Sequence, residues 1–148
     1  MKTTTKQGFS AVDAIMILGL AGSGLFTVTL FLDVYGWDTL LGWVAAFFAL
    51  AWLEMGAYAW RSAFEIARGY QRPVAGLGMF VCAALSVAST IMQIILSSHL
   101  WQPGWDEGAW TIGILAGAVG VNVIGAVFWK LYSPDVQAII RAALDADS

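Results

Sequence analysis

Four stretches of this chain, roughly Ala11–Leu32, Leu40–Trp60, Val74–Ser97 and Ala109–Tyr132, are apolar for long enough to cross a bilayer. A helix needs about 20 mostly apolar residues to traverse a hydrocarbon core about 30 Å thick. Backbone polar groups in lipid must be satisfied within the protein, which leaves helices and closed barrels. The runs are continuous and lack the alternation of a barrel wall, so helices are expected. The sequence therefore predicts an all-α membrane protein. Its four transmembrane helices form an antiparallel bundle, because short connections place consecutive helices side by side. A short amphipathic helix follows at the C-terminus.

Composition closes off the soluble alternatives. Of 148 residues, 59% are hydrophobic and 11% charged, against about 45–50% and about 25% in soluble domains. A water-soluble domain of about 150 residues buries only some 70% of the surface its chain exposes, too little to hide this much apolar area. The net charge of −3 and the lack of a basic run argue against nucleic-acid partners. One cysteine, Cys82, excludes an internal disulfide, and one histidine, His99, argues against haem and multi-histidine metal sites. No cofactor or metal is expected.

The first run follows Lys2 and Lys6, as a signal peptide would. It is too long for a 7–15-residue signal core and lacks a small-x-small cleavage site, so a retained membrane anchor is expected. Arg61, Arg68 and Arg72 lie between the second and third spans, and Lys130 and Arg141 lie at or beyond the end of the fourth. Segments 33–38 and 98–108 hold no Lys or Arg. Basic residues stay cytoplasmic in short loops, which places both termini inside. Asp33, Asp38, Asp106 and Glu107 then face outward among Tyr35, Trp37, Trp43, Trp101, Trp105 and Trp110. An aromatic belt at headgroup level accounts for this grouping. The competing reading is a cation-attracting vestibule of four carboxylates assisted by His99.

Local signals divide the chain into a four-span domain, residues 1–132, and a cytoplasmic amphipathic tail, 133–148. Ser10 and Asp13 have capping-box spacing, with Asp in place of the usual Glu or Gln. Pro73 suits the first turn of the third helix, and Pro103-Gly104 marks a turn. Ser133-Pro134-Asp135 opens a segment with Val136, Ile139, Ile140, Ala143 and Leu144 at helical spacing. Its charges match anionic lipid poorly, so docking onto protein is the better expectation.

Inside the spans, Glu54 is the outstanding residue. A charge at mid-bilayer costs about 2.5–3.5 kcal/mol on insertion scales. Counted from Leu40 at about 1.5 Å per residue, Glu54 falls in the inner third of the hydrocarbon core. Tyr58, Arg61, Glu65 and Arg68 follow at steps of four and three, which places all five on one helical face. The third span carries a polar seam of Cys82, Ser86, Ser89, Thr90, Gln93 and Ser97. Helix packing explains such a seam most simply, with Ser86 and Ser89 at the interface; a pore lining with Gln93 as its selective group is the alternative. In the fourth span, Gly113, Ala116, Gly117 and Gly120 make a close-approach face for assembly, and Asn122 lies opposite with Ala118, Gly125 and Trp129.

No nucleophile–base pair, phosphate loop or metal spacing is present, and no enzymatic activity is expected. The surplus of packing faces points first to a non-catalytic, oligomeric or accessory structural subunit, partnered by lipid and by its own copies or a larger membrane complex. The alternative is a pore or secondary transporter with Glu54 as proton or cation site and Tyr58, Gln93 and Asn122 as polar neighbours.

Overall fold

A computed structural model describes residues 8–148. Lys2 and Lys6, which open the charge argument for topology, lie outside the described residues. The described residues form five helices and no strand: α1 (Ala11–Tyr35), α2 (Leu40–Ile66), α3 (Gln71–Ser97), α4 (Glu107–Leu131) and α5 (Pro134–Ala146). The first four are long and apolar enough to span a membrane. Their outward surfaces bear exposed large apolar side chains such as Leu18, Leu25, Phe80 and Val127. So much exposed apolar surface would be a liability in water; it fits an integral membrane location.

Helix starts follow the local chemistry. The Ser10 hydroxyl accepts from the Asp13 amide at 3.2 Å, and the Asp13 carboxylate accepts from the Ser10 amide at 3.1 Å, completing a capping box. Thr39 caps α2 by accepting from the Gly42 amide, and Asp106 caps α4 by accepting from that of Ala109. Pro134 opens α5 directly after Ser133.

Several boundaries differ from the apolar runs. Helix α1 continues past Leu32 to Tyr35, α2 continues past Trp60 to Ile66, and α3 begins at Gln71, with Pro73 inside its first turn. Apolar length measures hydrocarbon thickness, whereas backbone bonding persists into the polar layer until a residue stops it. For α1 that residue is Gly36, at φ +103°, a conformation costly for any side chain with a Cβ. Glu54 is the fifteenth of the 27 residues of α2, midway along the helix with its polar-layer extension included.

Helix α2 is not uniform. Between the regular segments Leu40–Leu50 and Gly56–Ile66 lies one wider, π-type turn, Ala51–Met55. The Gly56 amide there reaches back to the Ala51 carbonyl. Such turns are rare and cluster at functional sites.

Helix α1 packs on α2 and α3, α3 packs on α2 and α4, and α4 reaches the wide turn of α2. One core cluster gathers Leu30, Phe31 and Leu32 with Ala46, Ala49, Leu53, Met92, Ile114 and Ala118. A second, smaller one holds Ala57, Trp60, Ala75 and Cys82. Trp60 is seated between two glycines. A Cβ at Gly78 would lie 2.7 Å from its indole, and one at Gly125 would lie 2.6 Å from it. Helix α5 has no buried residue.

Candidate functional site

The wide turn of α2 sets Glu54 against the interface between α1 and α3. Gly24 makes the approach of α1 feasible, since a Cβ there would stand 2.7 Å from Leu50 and 3.4 Å from the Glu54 stem. Ser23 and Thr27 on α1 and Ser86, Ser89 and Thr90 on α3 supply five hydroxyls around the carboxyl, on helices whose serines and threonines recur at three- and four-residue steps. Glu54 itself is only 4% exposed.

The hydroxyl protons are nearly all committed. Ser86 donates to Glu54 Oε1 at 2.7 Å and Thr27 donates to the same oxygen at 3.1 Å. Ser89 and Thr90 both reach the Ser86 carbonyl, at 2.8 and 3.1 Å. Ser89 also touches Thr27 at 2.8 Å, and Ser23 bridges Ser86 and Thr90. Glu54 Oε2 is buried and has no partner among the described residues. An ionised carboxylate with one bare oxygen in a low-dielectric setting is costly. A proton on that oxygen, or a small cation against it, removes the charge. The surrounding hydroxyl oxygens are hard donors suited to such an ion, and they keep spare lone pairs.

The other sequence candidates divide. Gln93 does not touch Glu54; its amide nitrogen donates to Asp33 at 2.7 Å, and its Oε1 is buried without a partner among the described residues. Asn122 is a strut: it accepts from the Trp60 indole at 2.9 Å and donates to the carbonyls of Trp52 (2.9 Å) and Ala118 (2.8 Å). It thereby braces the wide turn of α2 against α4. Tyr58 is half-exposed and stands apart from the cluster. The single face drawn through Glu54 and Tyr58 does not hold, because a π-type turn changes the angular step per residue and α-helical spacing fails across it.

Four hydrogen bonds converge on Asn122, one of them a weaker contact to Cys82 Sγ at 3.4 Å, so Asn122→Ala is expected to lower stability by about 1–2 kcal/mol, given intramembrane bonds of about 0.6 kcal/mol each and an orphaned indole N–H. A thermal melt in detergent micelles checks this, and an unchanged midpoint would contradict the bracing role.

Comparison with known protein families, curated proteins and solved structures finds no match to this chain. The site therefore stands on its own geometry.

Ser86 and Ser89 lie where α3 meets α1, and that interface is also where Glu54 is held. Neither Thr27 nor Ser23 stood out in the sequence as a neighbour of Glu54. Their four-residue spacing was the available signal. Of the four carboxylates Asp33, Asp38, Asp106 and Glu107, two have local duties: Asp33, within α1, accepts from Trp37 and Gln93, and Asp106 caps α4. No cluster of metal-ligating side chains occurs among the described residues.

The small-residue face of α4 is open. A Cβ at Gly113 or Gly120 would meet nothing within 4 Å, and one at Gly117 only Leu85. Ala116 is exposed. Gly113 also lines an apolar groove of about 740 Å³ between α3 and α4, with Met92, Trp105 and Trp110.

Proposed function

We propose that this chain is a non-catalytic integral membrane protein that binds and passes a proton or another singly charged cation at Glu54, as a pore or secondary transporter. Its four spans form an antiparallel bundle with both termini cytoplasmic. The pairings Thr27–Glu54 and Asp13–Arg61 support opposite senses for α1 and α2, since the residue number rises on one helix as it falls on the other. One observation carries the functional reading: a carboxyl buried midway along a span, its Oε1 held by hydroxyls and its Oε2 without a partner among the described residues. An ionisable group at such depth is by default a functional candidate.

The test is flux. The purified protein in liposomes is exposed to separate proton, Na⁺ and K⁺ gradients, and internal dyes report the response. Faster dissipation of at least one gradient than in empty liposomes is expected. No response to any of the three would overturn the reading and leave Glu54 as a packing device.

The open face of α4 favours a second role, self-association. Gly113, Ala116 and Gly120 make a surface on which another α4 could approach closely. Gly113→Leu is expected to convert an oligomer to smaller species without impairing insertion, as read by native mass spectrometry from lipid discs. Unchanged mass would argue that lipid covers this face. Co-purification with larger proteins would instead mark an accessory subunit.

A further inference from the structure

We infer that in this conformation Glu54 exchanges its cation with one side of the membrane, the side at which Asp33 lies, along a seam of α3 running through Gln93 and Ser89, so that passage across the membrane requires a second conformation open to the other side. This rests on the proposed cation site and adds its route of access.

Two buried side-chain atoms lack a partner among the described residues, Glu54 Oε2 and Gln93 Oε1, and both side chains belong to the region where α1 meets α3. Asp33 is exposed, and its carboxylate, a pure acceptor when ionised, holds the Gln93 amide nitrogen at 2.7 Å. The amide oxygen is consequently left in the protein interior, where it is available as an acceptor or cation ligand. One helical turn further along the same face of α3 stands Ser89, which is fully buried. From there, contacts are direct: Ser89 to Thr27 at 2.8 Å and Thr27 to Glu54 at 3.1 Å. Between exposed Asp33 and Glu54 the polar chain thus has a single break, from Gln93 to Ser89. The rise across it is about 6 Å, a span that one water or one travelling cation bridges with polar partners at both ends.

The opposite direction offers nothing comparable. Beyond Glu54 toward the Asp13–Arg61 pair lie Ala57, Trp60, Ala75 and Cys82, packed with Leu20 and Met79. The polar atoms of that layer are occupied: the Trp60 indole by Asn122, both Asn122 N–H groups by carbonyls, and the Cys82 sulfur by the Asn122 amide at 3.4 Å, with its thiol toward the Trp52 carbonyl at 3.9 Å. An ion leaving that way would shed its ligands without meeting new ones. Asp33 and Gln93 therefore act as positioning residues at the mouth of the route.

The natural thiol is first removed by Cys82→Ala, and single cysteines are placed at Asp38, Ser89 and Ala75. Ag⁺, a thiol-reactive monovalent cation, is applied to one face at a time using intact cells and inverted vesicles. Ag⁺ replaces the thiol proton, and the thiols left free are counted with maleimide after denaturation. Ser89→Cys is expected to react at least tenfold faster from the face that modifies Asp38→Cys, and Ala75→Cys slowly from both. Faster reaction of Ser89→Cys from the opposite face, or none from either face while Asp38→Cys reacts, overturns the assignment. Monodisperse elution of each variant verifies folding, and Thr90→Cys replaces Ser89→Cys if the latter aggregates. If Ag⁺ arrives as expected but wild-type protein passes no cation in liposomes, the access route stands and the transport reading falls. If wild-type protein passes cations but Ag⁺ arrives from the wrong side, the reverse holds.

Discussion

Glu54→Gln is expected to abolish cation flux while leaving the protein folded and inserted. Glutamine matches the shape of glutamate, and its amide oxygen can still accept from Ser86 and Thr27, the two donors now held at 2.7 and 3.1 Å. What disappears is the negative charge and the capacity to carry a proton. The cost of holding a charge at this depth, about 2.5–3.5 kcal/mol, sets the scale of the affinity a neutral side chain forfeits, about a hundredfold. Stability should hold or rise, because replacing a buried ionisable group by a neutral one of equal volume is often neutral or favourable. Flux in liposomes and a thermal melt, performed on the same preparation, separate the two effects. Undiminished flux would remove Glu54 from the route. Lost flux with a collapsed melt would make Glu54 a folding residue.

The largest stability loss is expected at Gly125 and Gly78, the two glycines that hold Trp60. A methyl group at either would stand 2.6 or 2.7 Å from the indole, and Trp60 has glycine contacts on both sides, so it cannot retreat from one without meeting the other. Overpacking of this kind costs about 1–3 kcal/mol and occasionally more. Gly125→Val should exceed Gly125→Ala, because valine adds branched bulk at the same point. A methyl group at Gly19 or Gly22 would meet nothing within 4 Å, so Gly19→Ala and Gly22→Ala should leave the melting temperature unchanged or slightly raised. Pairing Gly125→Ala with Trp60→Leu supplies the decisive comparison: neighbouring substitutions are coupled by about 0.5–3 kcal/mol. Simple additivity would mean that the glycine serves some purpose other than housing the indole.

These two predictions draw on different levels of the molecule. Glu54 was conspicuous in the sequence because a carboxylate within a long apolar run has to be explained wherever it points. Gly78 and Gly125 were not, because a glycine in a membrane helix gives no hint of which side chain it accommodates. The hydroxyl cluster was half legible: Ser86, Ser89 and Thr90 formed a visible seam, but Thr27 was one polar residue among many apolar ones. Gln93 and Asn122 stood out as interior amides, yet neither touches Glu54 directly, since residue type says nothing about which neighbour a long side chain reaches.

The sequence by itself determined the four membrane-length helices, the capping box at Ser10 and Asp13, and the proline start of α5. Each depends on residues within a few positions of one another, or on an apolar length set by the thickness of the bilayer. Tertiary structure alone decided that Thr27 meets Ser89, that Asp33 holds Gln93, and that α2 widens over Ala51–Met55 to seat Glu54. Those outcomes depend on the rotation of each helix about its own axis and on which faces meet. Rotation is set by the fit of side chains contributed by helices far apart in the chain, and no local pattern encodes it.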